Sequence, residues 1–263
     1  MGLPKPFRRN YRGMKEGPNS GYSSWAYIHD REYAKNAEHY VRALLLIQND
    51  LQSIFEYVEP GDECRTAYSY RIHALLMRTC IEVEANFKAI LEENTFTAPR
   101  KRSLNMTDYR KVDASHHLSS YEVMLPIWNG IPPIFKPFEP WKAGRGLQSN
   151  GGVSLPWYQA YNASKHDRHD EFKKANLETL VMAVAGLLVL VSAQFNDQDF
   201  SAGPTSLSVG GYDFHPMEAS IGALFRIKYP DDWADADLYD FDWNALKKQH
   251  DRFEKIDFDA IPY

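Results

Sequence analysis

"LVMAVAGLLVLVSAQF", residues 180–195, runs twelve positions from Leu180 to Val191 without a polar side chain. A bilayer span needs about 20 such residues. Glu178 stands just ahead of the run, and Gln194 and Asn196 close it. Its length therefore predicts the central helix of a soluble core, and no membrane partner is expected.

Immediately upstream the character reverses. "YNASKHDRHDEF", residues 161–172, packs Asn162, Lys165, His166, Arg168 and His169 into a short polar stretch. "SLPWYQAYNASKH" reads as the opening of a helix, with Ser154 as N-cap and Pro156 in the first turn. On that helix Trp157, Ala160, Tyr161 and Ser164 share one side, which suits packing. Asn162, His166 and Asp170 trace another line, with Lys165 and His169 beside it. Residues 167–170 are placed as a turn or kink before the buried helix.

Working outward, Tyr33, Ala37, Tyr40, Leu44, Ile47, Leu51, Ile54 and Val58 alternate spacings of four and three, the stripe of an amphipathic helix. It is predicted to run from Asp30 to "EPGD", where Pro60 and Gly61 break it. A second helix over about 62–94 carries Tyr68, Ile72, Leu75, Thr79, Val83, Phe87 and Ile90 on one side, and the short break makes the two antiparallel neighbours. Arg78 with Glu82, and Glu84 with Lys88, are spaced for intrahelical ion pairs. Residues 121–141 alternate apolar positions but hold too many prolines for a central strand, and predict a hairpin or flap. "KAGRGLQSNGG" follows as a loop. Beyond 197 come a Gly/Ser-rich stretch, one strand over 221–229 and a short helix near 243–253. The expected fold is mainly α: an antiparallel helical bundle over 25–196 with a flap and loop insertion at 119–153. A basic arm at 1–24 precedes it, and an acidic, irregular α+β extension at 197–263 packs on it.

The formal charge of −5 excludes a globally basic nucleic-acid binder. Charge is nonetheless unequal between the ends, net +3 over 1–30 and net −6 over 231–263. That asymmetry predicts contact between the ends or between subunits. Cys64 and Cys80 fall in one predicted helix, too far apart along its axis to bridge, and "MGLPKPFRRNYRG" lacks a secretory apolar core. Both features point to a reduced, cytoplasmic compartment.

A zinc site could be drawn from His166, His169 and Asp170, but His-x-x-His alone lacks a third ligand at a recognisable spacing, so no metal is expected. No glycine-rich phosphate loop follows a strand and no nucleophile elbow is present, so no cofactor is expected either. Asn162 and His166, one helical turn apart, suit metal-free phosphodiester chemistry. It needs a proton-moving group, a task that suits the imidazole side chain as a type and falls here to His166, and donors for phosphate charge, here Lys165, Arg168 and Arg78.

The long helical pair, with "RTCIEVEANFKAIL" in its second member, followed by "LPWYQAYNASKH" leading into a long apolar helix, resembles the HEPN (higher eukaryotes and prokaryotes nucleotide-binding) superfamily over roughly residues 30–195. The resemblance implies a helical bundle, often homodimeric, that binds RNA or nucleotide and in many members is a metal-independent endoribonuclease of toxin, antiphage or RNA-processing systems. The family's catalytic pattern is Arg, a polar residue, three residues, then His. Asn162 and His166 occupy the last two roles, and Tyr161 stands where the family carries Arg. A noncatalytic scaffold is the competing expectation, with "PRKR" at 99–102 or the basic arm meeting an acidic protein partner.

Overall fold

The structure, a computed structural model, describes residues 2–18, 20–100, 102–130, 134–144, 154–200, 217–222 and 224–261. Most of the "KAGRGLQSNGG" loop, the Gly/Ser-rich stretch of the tail and Lys101 lie outside them. Five helices build the body: α1 (Ala37–Phe55), α2 (Tyr70–Glu93), α3 (Lys111–His116), α4 (Pro156–His166) and α5 (Leu177–Phe195). One small antiparallel sheet completes a mainly α fold.

α5 is the centre. Every residue in it except Glu178, Thr179 and Met182 is buried. It packs most extensively on α2, then on α1 and α4. By length and apolarity this helix would suffice to cross a membrane, but its apolar surface is already covered by its neighbours. Asn176 starts it, accepting the Thr179 backbone N–H at 3.0 Å while the Thr179 hydroxyl accepts that of Asn176 at 3.1 Å.

One glycine matters to this packing. A Cβ on Gly186 would stand 3.1 Å from the Trp157 ring, which is held in place because its indole N–H donates to the Pro137 carbonyl at 2.9 Å. Gly186→Val is expected to destabilise the protein by about 1–3 kcal/mol through overpacking. A thermal melt checks it, and an unchanged midpoint would show that α4 yields freely.

The helices begin later than periodicity alone suggests. α1 starts at Ala37, not Asp30, because Asn36 sits in the left-handed region at φ 53°. α2 starts at Tyr70 because Ser69 caps it, its hydroxyl accepting the Ile72 N–H at 3.2 Å. Cys64 therefore lies in a separate turn (Asp62–Cys64) while Cys80 is buried within α2, and both are free thiols. Neither expected intrahelical ion pair forms: Arg78 and Glu84 meet partners on other helices, and Lys88 pairs instead with Glu92 of its own helix at 3.6 Å. Arg78 meets Asp50 of α1 at 2.5 Å, and Glu84 accepts from the Tyr158 hydroxyl of α4 at 2.8 Å. Ser154 does not cap α4: Leu155 holds the cap position, with no side-chain bond, and Pro156 opens the helix.

The hairpin at 121–141 is present as β1 (Glu122–Met124) against β2 (Ile134–Phe135). Two tail strands join it, β3 (Glu218–Ala219) and β4 (Arg226–Lys228), in the order β2-β1-β4-β3. β1 is an interior strand, which it can be because the prolines lie outside its three residues. Val123 pairs with both Phe135 and Ile227, and all three face the core. The later helix is a single turn, Trp243–Leu246, shorter than expected.

The N-terminal segment is not a loose arm. Arg9 and Asn10 are completely buried, and the chain pairs with the tail through bridges Leu3–Tyr239, Phe7–Glu254 and Met14–Tyr239. The Arg9 guanidinium donates to Glu93 at 2.7 Å, to the Gln194 side chain at 2.8 Å and to the Lys35 carbonyl at 2.5 Å. Its plane lies over the Tyr40 ring. Gln194 in turn donates to Asn86 at 2.9 Å, so one arginine ties the N-terminal segment to α2 and α5. The two ends meet: Lys5 pairs with Asp251 at 2.6 Å in the sense of the charge asymmetry, and Arg252 with Asp30 at 2.8 Å in the opposite sense.

Candidate functional site

α4 is amphipathic in the way its spacing suggests. Trp157, Tyr158, Ala160, Tyr161 and Ser164 are buried, Asn162 is half-buried, and Lys165 and His166 are exposed. The helix ends at His166 because Asp167 leaves helical geometry, at φ −134° and ψ 73°. The Asp167 carboxylate then accepts the Asp170 N–H at 3.3 Å and opens a new turn, Arg168–Glu171.

Asn162 and His166 thus share the flank of one helical turn. His166 has no hydrogen-bond or ion-pair partner among the described residues, and neither Glu82 nor Glu84 engages it; Glu84 is taken by Tyr158. Tyr161 is 1% exposed, and its hydroxyl accepts a hydrogen bond from the Lys165 ammonium at 2.9 Å. That bond holds the Lys165 pKa above the ordinary lysine value. Burial raises the Tyr161 phenol, with Lys165 pulling the other way. The pair is therefore a neutral phenol beneath a firmly protonated amine.

The remaining cations go elsewhere. Arg78 lies along a shallow pocket beside Asp50, Ser53 and Arg71, on the flank of α2 that meets α1 rather than the flank that meets α4. Arg168 and His169 line an open pocket of about 330 Å³ with Tyr70 and Phe172. The structure therefore brings together Asn162, His166, Lys165 and Tyr161 on α4, sets Arg168 in the following turn, and leaves Arg78 apart.

A larger cavity, about 730 Å³, is one that the sequence did not reveal. Arg65, Lys136, Glu122, Glu139 and Glu178 line it above Trp157 and Phe135. Its residues come from four distant segments, so no local motif announces it. Its charges are mutually satisfied: Arg65 pairs with Asp62 at 2.6 Å and Glu178 at 2.7 Å, and Lys136 with Glu122 at 3.0 Å. Among the described residues no three His, Cys, Asp or Glu side chains gather as a metal-ligand set.

No family model, curated protein or solved structure matches this chain. What the α4 flank can do follows from its own groups: an imidazole open to solvent, an amide one turn away, and an ammonium braced on a buried ring. Those groups can accept and return a proton and hold a single anionic oxygen cluster.

Proposed function

We propose that this chain is a HEPN-like RNA- or nucleotide-binding protein of the cytoplasm, working as a homodimer, in which the exposed flank of α4 contacts phosphate. The observation that carries the reading is the openness of His166, one turn from Asn162 and bound to no carboxylate. With Tyr161 in place of arginine, the fixed charge comes from Lys165, a point charge without the bidentate fork of a guanidinium. That substitution favours binding over cutting. In its stronger form, as a metal-independent endoribonuclease of a toxin or antiphage system, His166 takes the 2′-hydroxyl proton as that oxygen bonds to phosphorus, and returns it to the 5′ oxygen as the P–O5′ bond breaks, leaving a cyclic phosphate and a 5′-hydroxyl.

The test incubates the protein with single-stranded RNA in EDTA and measures binding and product ends for wild type, His166→Ala and Lys165→Ala. Lys165→Ala is expected to weaken binding several-fold and to lower the slope of log affinity against log salt by about 0.7, one phosphate contact. His166→Ala is expected to weaken binding and remove any cyclic-phosphate product. Wild type that neither binds nor cleaves overturns the reading. Sedimentation tests the dimer separately.

A specific observation favours a second reading, a noncatalytic scaffold. Lys165 and His166 occupy the last turn of α4, where positive charge complements the helix dipole by about 0.3–1 kcal/mol with no ligand at all. In that case His166→Ala leaves function intact. The "PRKR" loop is a weaker candidate for the partner surface, because Arg102 is already committed to Asp108, at 2.5 and 2.8 Å.

A further inference from the structure

The turn that follows α4 places Phe172 among three other rings. Tyr68 meets it edge-on at 5.7 Å, Tyr70 tilts over it at 4.9 Å and His73 at 5.4 Å. Two chain segments are held together to make this cluster, by the antiparallel bridge of Tyr68 with Asn176 and by the Leu177 N–H donating to the Ala67 carbonyl at 2.8 Å. Ring clusters of this size ordinarily close into a core. Here Tyr70 is 71% and Tyr68 46% exposed.

Single exposed aromatics need no explanation, but this group has two companions of a different kind. Arg168 and His169 stand with Tyr70 and Phe172 around the open pocket of about 330 Å³, a volume at the lower end for small-molecule sites. Tyr70 is also the first residue of the 24-residue helix α2, whose N-terminal end carries partial positive charge. A flat face, a cation and a positive helix end complement one kind of ligand: a planar heterocycle with an attached phosphate.

We infer that the Tyr70–Phe172 pocket is a nucleobase-stacking subsite, taking one base of a single-stranded RNA or of a mononucleotide on the Tyr70 face, with Arg168 toward its phosphate. The inference rests on the RNA or nucleotide reading of α4 and deepens it, because Arg168 follows His166 by two residues and a base held here stands next to the proposed phosphate contact. Asp167, Asp170 and Glu171 temper the local charge, so stacking supplies more of the binding than Coulomb attraction. Such stacking tolerates sequence, since every base has a π-face.

The experiment titrates full-length protein with a fluorescent single-stranded oligoribonucleotide, with AMP, and with ribose 5-phosphate, which has the phosphate but no base. Tyr70→Ala, Tyr70→Phe and His166→Ala are run beside wild type. Tyr70→Ala is expected to weaken oligonucleotide binding roughly five- to hundred-fold, the effect of one stacked base, while Tyr70→Phe keeps wild-type affinity. Ribose 5-phosphate should not distinguish the Tyr70 variants. AMP that follows the oligonucleotide pattern identifies a mononucleotide site; a Tyr70 effect on the oligonucleotide alone identifies an RNA site. If Tyr70→Ala binds like wild type while His166→Ala is impaired, the stacking subsite is wrong and the α4 reading stands. If wild type binds none of the three, both fall. Because Tyr70 lies on the surface, its variants should keep the wild-type circular dichroism, and a Tyr70→Phe as weak as Tyr70→Ala would overturn stacking in favour of the hydroxyl.

Discussion

Arg9→Ala is expected to remove about 3–5 kcal/mol of stability, the loss typical when one partner of a buried ion pair is deleted. The Arg9 side chain is 0% and the Glu93 side chain 9% exposed, so no water replaces the lost donors. Deletion leaves the Glu93 carboxylate only the Lys35 backbone N–H at 3.0 Å, and orphans the Gln194 side-chain oxygen and the Lys35 carbonyl together. At roughly 2–4 °C per kcal/mol for a chain of this size, the melting midpoint should fall by roughly 6–20 °C. Arg9→Lys keeps the charge but not the three-way fork, and should fall between. Arg8→Ala is the control: its pair with Glu32 at 3.2 Å is solvent-exposed, where such pairs contribute about 0–1 kcal/mol. Equal melting of Arg9→Ala and Arg8→Ala would show that the buried network holds nothing together.

The second large effect is a loss of stability in mild acid. His116 is completely buried. Its Nε2–H donates to the Arg9 carbonyl at 2.8 Å, and Nδ1 accepts from the Ser115 hydroxyl at 2.8 Å. Burial, reinforced by the nearby Arg12 and His117 charges, pushes its pKa down from 6.5 to about 3. Below pH 6.5 the unfolded chain takes up a proton that the folded chain refuses, so the unfolded state binds more protons and stability falls as pH drops through this window. Each unit costs about 1.4 kcal/mol, so between pH 6.5 and 4 the loss should be on the order of 3 kcal/mol. The carboxylates of Asp30 and Asp108, held below their usual range partly by Arg252 and Arg102, add their losses only at lower pH. Denaturant titrations at pH 7, 6, 5 and 4 measure the slope. His116→Gln should flatten it whatever its effect at pH 7, and an unchanged slope would assign the acid sensitivity elsewhere.

The helices were legible because their cause is local. The stripe from Tyr33 to Ile54 is written at three- and four-residue spacing, and most of it is buried as that spacing requires. α4 was equally plain: Trp157 and Tyr161 point inward and Lys165 and His166 outward. What sequence did not disclose depends on long-range pairing. Arginine in a Pro- and Gly-rich stretch usually marks solvent-facing chain, and nothing near Arg9 signals that Glu93 and Gln194 wait for it. The partnership of β4 with β1, and the choice of Asp50 over Glu82 by Arg78, are likewise contacts across the fold. The aromatic group around Phe172 was hidden for the same reason: Tyr68 read as part of the apolar side of a helix over about 62–94, whereas Ser69 caps α2 and leaves Tyr68 and Tyr70 exposed.

The threading of the N-terminal segment against the tail also sets an order of events during synthesis. Phe7 and Asn10 are made some 230 residues before their partner Tyr239, a wait of roughly 10–50 s at ordinary translation rates. Until then α1, α2 and α5 can associate around Arg9, whose partners Lys35, Glu93 and Gln194 all precede the tail, but the stretch from Leu3 to Phe7 lacks the residues it pairs with. The tail around Tyr239 acts as a clasp, and its arrival, not the collapse of the helices, fixes the stretch from Leu3 to Phe7 in place.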